Sequence, residues 1–246
     1  MAWDWQVFCK DTVSGEVERS CFGKGGDTTY LQWMLSAWGW TLSVALLALI
    51  VALVVGSLMG ILRTLPDKKL AFIGDAWTEV FRNIPLLVQI FLWYHVLPSI
   101  ITPLKAFPSF LLVVFALGFF TSARISEQVR AGIQSLPRGQ RMAGLAMGLT
   151  LAQTYRYVLL PNAFRIVIPP LTSESMNIVK NSSVAFAVSI AELTMFAMQA
   201  QEETSRGIEI YLAVTALYFV SAFAINRIAL FIENRVRIPG TVGAKK

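Results

Sequence analysis

"TTYLQWMLSAWGWTLSVALLALIVALVVGSLMGIL" (residues 28–62) contains no charged residue. A helix needs roughly 20 mostly apolar residues to cross a bilayer, so this stretch predicts a membrane span, which we place at residues 33–62. The composition agrees, because 55% of the 246 residues are hydrophobic and only 15% are charged, whereas a soluble domain usually carries about 25% charged residues. The sequence therefore indicates a membrane protein.

Four further stretches have the same apolar character. They lie at residues 83–104, 109–133, 163–200 and 210–234. The stretch that begins at 109 carries charge only in its second half, and the next one is interrupted by charged residues and by Pro169 and Pro170. We interpret each stretch as one span, so the predicted fold class is an all-α polytopic membrane protein with five transmembrane helices.

The basic residues predict the orientation, since short cytoplasmic loops are rich in Lys and Arg. Residues 63–69 contain three basic side chains, and residues 134–165 contain four arginines and no acidic residue. The N-terminal tail, residues 1–30, holds five acidic and three basic residues. We therefore expect an extracytoplasmic N-terminal tail, a transmembrane domain over 31–235 and a cytoplasmic tail over 236–246. The net charge of +6 follows from this topology and requires no nucleic acid partner.

The two cysteines, Cys9 and Cys21, both lie in the N-terminal tail. A disulfide between them is expected if the tail faces an oxidising compartment, and the alternative is two free thiols in a mobile tail. Structural zinc takes four ligands, whereas the chain offers these two cysteines and a single histidine, His95. We therefore expect no metal site.

An amphipathic stretch interrupts the apolar pattern on the predicted cytoplasmic side, at residues 134–162. Its segment "RMAGLAM" predicts a short helix with Met142, Leu145 and Ala146 on one face. Gly148 follows and is well suited to end that helix with a positive φ angle. The stretch is too polar to span a bilayer, yet its pattern is too regular for an unstructured loop.

A second short helix is predicted after this glycine. Thr150 and Gln153 form a T-x-x-Q capping box that starts it. Its apolar face comprises Leu151, Tyr155, Val158 and Leu159. Pro161 is expected to end it. A helix of this kind can lie in the membrane interface or fill a groove on a partner protein.

The same stretch, "GQRMAGLAMGLTLAQTYRYVLLPNAFR" at residues 139–165, resembles the cytoplasmic loop signature of ABC-importer permeases, G-Q-x-E-A-A-x-x-L-G-x-[ST] followed by L-P-x-A. The matching residues are Gly139, Gln140, Ala143, Gly148, Thr150, Leu160, Pro161 and Ala163. Met142 stands where the family usually has Glu, and Gly144 stands where it has Ala. The resemblance implies that the loop forms a coupling helix that docks into an ATPase subunit. The residues that receive this role by resemblance are Met142, Ala143, Leu145, Gly148, Thr150, Tyr155 and Pro161.

Three further motifs resemble the polar amino acid branch of this family. They are "FRNIPLLVQIFLWY" at 81–94, "SARISEQVRAGIQSLPRGQ" at 122–140 and "PPLTSESMNIVKNSSV" at 169–184. The four motifs occur in the family's order on the predicted spans, and together they cover most of residues 80–195. The overall pattern resembles the glutamate/aspartate permeases of the branch.

The resemblance implies a transport subunit of an ATP-driven amino acid importer in a bacterial cytoplasmic (inner) membrane, and not an enzyme. The implied partners are two ABC ATPase subunits, a sister permease that is different or identical, and an extracytoplasmic amino-acid-binding protein. No cofactor is expected on this chain, because it lacks the G-x-x-x-x-G-K-[ST] phosphate-binding loop, and ATP would bind to the partner ATPase. The alternative is a self-contained secondary transporter or channel, which would explain the spans but not the patterned loop.

Charged side chains inside spans are costly and tend to mark a transport pathway. The candidates are Arg124, Glu174, Asn177 and Lys180. In one interpretation Arg124 binds the side-chain carboxylate of the substrate, since a guanidinium suits bidentate carboxylate binding. Lys180 and Glu174 would then face the α-carboxylate and the α-ammonium, with Asn177 assisting. In the other interpretation Arg124 and Glu174 form a static ion pair.

Two further pairs of residues are expected to hold helices together. Glu127 and Arg130, three residues apart near the cytoplasmic end of their span, are expected to pair with each other. Gly56 and Gly60 form a G-x-x-x-G motif, which permits close packing against another helix of this chain or of a sister subunit.

Overall fold

A computed structural model describes residues 3–19, 21–23 and 28–236. Within these residues the backbone is almost entirely helical, and its extended pairing is limited to two isolated bridges near the N-terminus. The α-helices are α1 (Tyr30–Leu62), α2 (Lys68–Asn83), α3 (Leu86–Phe91), α4 (Leu97–Ile100), α5 (Ser109–Gln134), α6 (Arg138–Ala146), α7 (Leu151–Thr154), α8 (Leu160–Asn181), α9 (Leu193–Thr204) and α10 (Gly207–Val236). Shorter 3₁₀ segments occupy Trp5–Cys9, Thr102–Ala106 and Ser182–Val188, and π-helical turns occupy Leu92–Val96 and Tyr155–Leu159.

Within the part of the chain that the structure describes, three helices are long and apolar enough to cross a membrane, namely α1, α5 and α10. Two further helix pairs, each bent at a short break, bring the number to five if each pair is one span. These pairs are Lys68–Asn83 with Leu86–Ile100, and Leu151–Val188 with Leu193–Thr204. The all-α polytopic fold class is therefore confirmed, and α1 ends at the predicted residue, Leu62.

The bounds of the second predicted span, 83–104, are wrong. The helical backbone breaks at Ile84, which is extended (φ −95°, ψ 128°), because a residue before proline is driven out of the α region and Pro85 follows. A further helix, α2, comes before this break, and it begins where the Asp67 carboxylate caps the N–H groups of Lys69 (2.8 Å) and Leu70 (3.4 Å). From the sequence we predict a basic loop over 63–69 and do not predict α2.

The chain divides into two compact units. The first combines residues 1–48, 86–117 and 178–222, and the second combines residues 49–85, 118–177 and 223–246.

In the first unit the N-terminal segment is fixed in place. Cys9 and Cys21 form a disulfide, and the backbone N–H of Asp4 donates to the Glu209 carboxylate at 2.9 Å. The apolar core beneath this segment comprises Val7, Phe8, Tyr30, Met34, Ala37, Leu193, Phe196, Ala197, Ala200, Ile210 and Val214. The disulfide therefore closes a segment that already packs on helices distant in sequence.

Asp11 organises the turn inside this disulfide-closed segment. Its Oδ1 accepts hydrogen bonds from the backbone N–H groups of Ser14 at 2.6 Å and Val13 at 2.9 Å. These N–H groups, that of Ser14 first, lower the pKa of the Asp11 carboxyl below its ordinary value because they stabilise the charged form.

A fully buried carboxylate, Glu192, starts α9 in the same unit. Its two oxygens accept from the backbone N–H groups of Thr194 (2.8 Å) and Met195 (2.9 Å), and from the hydroxyl of Tyr218 on α10 (2.8 Å). The Leu193 N–H donates to the hydroxyl of Thr41 on α1 at 3.1 Å. The Thr41 hydroxyl and the Glu192 carboxylate therefore accept hydrogen bonds from the first three backbone N–H groups of α9.

In the second unit α1 and α5 approach closely at the two glycines of the G-x-x-x-G motif. A Cβ atom on Gly56 would lie 2.7 Å from both the Ile125 Cβ and the Ser122 carbonyl oxygen. A Cβ on Gly60 would lie 2.7 Å from the Val129 Cβ. The predicted close packing therefore occurs within this chain, against α5.

Candidate transport pathway and coupling loop

Ion pairs join α1, α2 and α5 in the second unit. Asp75 on α2 accepts from Arg63 Nε at 2.7 Å and from Arg130 Nη1 at 3.0 Å. Glu127 on α5 pairs with Arg82 on α2. The predicted pair between Glu127 and Arg130 is therefore wrong, because α2 brings an opposite charge to each of them.

Sequence reasoning missed the α2 residues of this network. Asp75, Glu79 and Arg82 recur at the i, i+4 and i+7 spacing of a helix face, and Asp67 before them is a good N-cap. That signal could have indicated a charged helix between the first two predicted spans. The α5 partners of Asp75 and Arg82 lie more than forty residues away in sequence, so spacing alone does not reveal the pairing.

Two of the predicted pathway residues come together in the same unit. Arg124 Nη1 on α5 lies 3.5 Å from Glu174 Oε2 on α8. The Arg124 side chain is 46% exposed, whereas that of Glu174 is only 10% exposed. Gln128, one turn after Arg124, donates from Nε2 to Glu174 Oε1 at 3.2 Å. Gln128 was missed by the sequence analysis, although its i+4 spacing from Arg124 places both on one helix face.

Glu174 keeps part of its bonding capacity unused. Among the described residues its Oε2 has no hydrogen-bond partner, since the Arg124 contact at 3.5 Å is an ion pair and not a well-formed hydrogen bond. The Arg124 guanidinium also lies 5.7 Å from the centre of the Phe120 ring, with its carbon over the ring face. A buried carboxylate oxygen and a half-exposed guanidinium are groups that can bind an ammonium and a carboxylate, respectively.

The other two predicted pathway residues are placed differently. Asn177, one turn after Glu174 on α8, is partly exposed within the second unit. Lys180 is exposed and belongs to the first unit. Their roles stay predictions.

The coupling loop, residues 134–162, begins with α6, which presents an exposed apolar surface. Met142 is 68% exposed, Leu145 is 44% exposed and Met147 is 82% exposed. Ala143 is exposed beside them, and we refer to these four residues as the apolar plug. An exposed set of this kind on a short helix is typical of a protein contact.

A glycine turn and a capping box follow the plug. Gly148 has a φ angle of +83°, which few residues other than glycine adopt without strain. Thr150 and Gln153 form the reciprocal capping box, with the Gln153 side chain accepting from the Thr150 N–H at 2.8 Å. The expectation that Pro161 ends the second helix is wrong. A π-helical turn at Tyr155–Leu159 carries the backbone directly into α8. The missing N–H of Pro161 removes one helical hydrogen bond without ending the helix.

The inner side of the loop is tightly packed. A Cβ atom on Gly144 of α6 would lie 2.8 Å from the Thr154 Cγ2 on α7. Tyr155 is only 6% exposed, and its hydroxyl donates to the Thr64 carbonyl oxygen at 2.7 Å. Tyr155 was expected to contact the ATPase, but its burial excludes it from the apolar plug.

Residues 52–238 match the family model described as "Binding-protein-dependent transport system inner membrane component". The chain belongs to this family. It is therefore a multi-pass inner-membrane subunit of an ABC importer, and it is a transport component and not an enzyme. The family implies an ATPase, which uses the ATP, together with a binding protein and a permease partner. Membership also favours the importer over a self-contained secondary transporter.

Individual relatives agree with this assignment. The chain is 42% identical to the glutamate/aspartate import permease protein GltJ of Escherichia coli K12, over 99% of this chain and 98% of that protein. It is 32% identical to the glutamine transport system permease protein GlnP of the same organism, over 80% of this chain and 90% of that protein.

Solved structures resemble the fold. A crystal structure of an amino acid ABC transporter with histidines has a TM-score of 0.73 and 30% identity, covering 84% of this chain and 95% of that one. An inward-facing methionine transporter, MetNI, has a TM-score of 0.73 at 22% identity, covering 85% of this chain and 98% of that one. The second likeness concerns the fold alone.

Proposed function

We propose that this permease carries glutamate and aspartate. The observation that carries the proposal is the 42% identity to a glutamate/aspartate import permease along 99% of the chain. The similarity to permeases named for glutamine is lower and shorter, at 32% and 35% identity over 80% of the chain. Acidic amino acids are therefore better supported than neutral ones.

The polar cluster between α5 and α8 supports an acidic substrate. In the proposed site the half-exposed Arg124 guanidinium binds the side-chain carboxylate. Glu174 accepts from the α-ammonium through Oε2, the oxygen that has no hydrogen-bond partner among the described residues. Gln128 holds the other Glu174 oxygen and so fixes the direction of the carboxylate. Asn177 assists from the next turn of α8. The proposed contact of Lys180 with the α-carboxylate stays a prediction from the sequence.

The proposed mechanism places the ATPase on the coupling loop. The apolar plug fills a groove of the ATPase subunit, and Gly148 and Thr150 fix the turn that presents it. Pro161 lies near the start of α8, which follows the loop. Met142 replaces the family's usual Glu, so this contact is apolar and not an ion pair. Two ATPase subunits, a sister permease of different or identical sequence and an extracytoplasmic binding protein complete the proposed importer.

The proposed orientation puts the N-terminal tail, residues 1–30, outside and the coupling loop in the cytoplasm. The disulfide supports this, because such bonds persist in oxidising compartments, and so does the excess of basic residues in the loop. The transmembrane domain covers 31–235. Residues 237–246 of the proposed cytoplasmic tail, 236–246, lie outside the described residues.

Uptake of labelled L-glutamate by cells with and without the gene tests the substrate. We expect uptake to fall in the deletion strain and unlabelled aspartate to compete better than glutamine, histidine or arginine. Unchanged uptake in the deletion strain, or equal competition by glutamine, would contradict the proposed substrate.

Three variants then test the site. Arg124→Tyr should reduce glutamate uptake much more than it reduces the amount of protein in the membrane. Glu174→Gln should reduce uptake of both glutamate and aspartate, since both carry an α-ammonium. Arg227→Gln is the matched control, because Arg227 also lies over an aromatic ring of its own helix but outside the cluster. If uptake and protein amount fall together in Arg124→Tyr, the static ion pair is the better account.

A further inference from the structure

The coupling loop has an internal attachment that is separate from its exposed plug. We propose that Tyr155 is a positioning residue for energy coupling, which ties the coupling loop to the end of α1. This inference rests on the proposed function, since it requires an ATPase that docks on the loop. It adds a residue that transmits the movement and does not itself touch the ATPase.

The first argument is burial. Tyr155 is 6% exposed, whereas Tyr157, two residues later in the same π-helical turn, is 63% exposed. A partner that docks on the loop therefore cannot touch Tyr155. The contribution of Tyr155 must therefore pass through contacts inside the chain.

The second argument is the acceptor of its hydroxyl. The Tyr155 O–H points to the Thr64 carbonyl oxygen at 2.7 Å, with the Thr64 hydroxyl at 3.1 Å. Thr64 follows the last residue of α1 by two positions, and its hydroxyl donates to the Ile61 carbonyl at 2.7 Å. The last carbonyls of a helix lack partners within the helix. The Tyr155 hydroxyl therefore bonds to Thr64, the residue that caps the end of α1, ninety-one residues away in sequence.

The third argument is the neighbour of that acceptor. Arg63, adjacent to Thr64, donates from Nε to Asp75 on α2 at 2.7 Å and from Nη1 to the Ser126 hydroxyl on α5 at 3.3 Å. The Arg63 side chain is itself only 7% exposed. A displacement of the end of α1 therefore acts on two other helices through short polar contacts.

The fourth argument is the connection on the loop side. The plug is carried by α6, and α6 packs on α7 where Gly144 meets Thr154. Thr154 immediately precedes Tyr155, and its hydroxyl is bonded to the Thr150 carbonyl at 3.0 Å. Contacts thus run without interruption from the plug to the end of α1, which gives a continuous physical route for coupling.

The test uses the complete importer, with its ATPase, sister permease and binding protein, in proteoliposomes. Two quantities are measured: ATP hydrolysis stimulated by the glutamate-loaded binding protein, and glutamate uptake. Their ratio is the number of ATP molecules used per substrate. This ratio does not depend on how much complex is recovered, so a partial loss of folding does not disturb it.

Tyr155→Phe removes only the hydroxyl and keeps the ring. Because a buried hydrogen bond is lost from the proposed transmission path, we expect the ratio of ATP to substrate to rise about threefold or more. Tyr157→Phe, the exposed neighbour, should leave the ratio unchanged. A purely structural role for Tyr155 would lower the yield of complex without moving the ratio.

The outcomes separate the two proposals. Wild-type complex without ATP-driven glutamate uptake contradicts the proposed function. Normal wild-type coupling with an unchanged ratio in Tyr155→Phe contradicts only the positioning role. A raised ratio in Tyr155→Phe alone supports it, and an equal rise in Tyr157→Phe overturns it.

Discussion

The close contact between α1 and α5 gives a prediction with a defined magnitude. In Gly56→Ala the new Cβ atom would lie 2.7 Å from the Ile125 Cβ and from the Ser122 carbonyl oxygen, whereas ordinary contact begins at 3.4 Å. The helices must therefore separate by about 0.7 Å, and overpacking of this kind costs about 1–3 kcal/mol. The backbone oxygen cannot turn away as a flexible side chain could, so the upper half of that range is expected.

The matched control lies on the same helix. Gly39 has no atom within 4 Å of a built Cβ, so Gly39→Ala should be neutral or slightly stabilising, because alanine favours the helix by about 1 kcal/mol over glycine. The assay is the apparent melting temperature of the purified complex. With about 2–4 °C per kcal/mol, the upper half of that cost range places the melting temperature of Gly56→Ala about 4–12 °C below wild type.

A second variant tests the same geometry from another position. Gly60→Ala should also destabilise, since its Cβ would meet the Val129 Cβ at 2.7 Å. The double variant Gly56→Ala/Gly60→Ala should cost less than the sum of the two, because one separation of the helices relieves both clashes. Equal melting temperatures for Gly56→Ala and Gly39→Ala would refute the reasoning, and so would strict additivity.

Three further predictions concern the loop and the N-terminal segment. Gly144→Ala should speed amide exchange in the coupling loop by about fivefold, an overpacking cost of about 1 kcal/mol, and adding Thr154→Ser should restore slow exchange because it removes the clashing methyl group. The pKa of Asp11 is lowered on folding, so the stabilisation that its carboxylate gives is present above the unfolded pKa and is lost as pH falls through the folded pKa. Protection of the turn's amides against exchange should therefore decrease below about pH 4. Asp11→Asn should abolish that pH dependence. Replacing Cys9 and Cys21 by serine should expose the N-terminal segment to proteolysis, since closing a loop of this size stabilises by up to about 3 kcal/mol.

Each of these has a control and a contradicting result. Gly139→Ala is the control for Gly144→Ala, because Gly139 has no atom within 4 Å of a built Cβ; equal exchange rates in the two variants would show that the packing is unimportant. If amide exchange protection of the turn does not change between about pH 6 and pH 3, the Asp11 carboxylate does not stabilise the turn. For the disulfide, a reducing agent added to wild type should reproduce the double serine variant, and unchanged proteolysis in both would contradict the prediction.

Local signals in the sequence were sufficient for several parts of this molecule. The absence of charge over 28–62 located α1 almost to the residue, because apolar length is the main determinant of a membrane span. Gly148 and the Thr150–Gln153 capping box were read correctly because both depend on chemistry within a few residues. The G-x-x-x-G motif at 56–60 likewise predicted a close helix contact, although not which helix would be the partner.

Contacts between distant segments could not be read in the same way. Nothing near Glu127 in sequence indicates that Arg82 and not Arg130 is its partner. The burial of Tyr155 depends on Thr64, and the helical period gives only the face of a helix and not what covers that face. Proline usually ends a helix, so the sequence gives no sign that the π-helical turn at Tyr155–Leu159 carries the helical backbone past Pro161 into α8.

Glu192 has a consequence for how the chain is made. Its carboxylate is fully buried at the start of α9, and one of its hydrogen-bond donors is Tyr218, twenty-six residues further along. The two backbone donors, by contrast, are available as soon as α9 itself has formed. During synthesis the α8–α9 segment therefore leaves the ribosome with an incompletely satisfied acid, and insertion of α10 completes its bonding. A nascent chain stopped before Tyr218 should still form α9, but it should be recognised by membrane quality control more readily than one stopped after it.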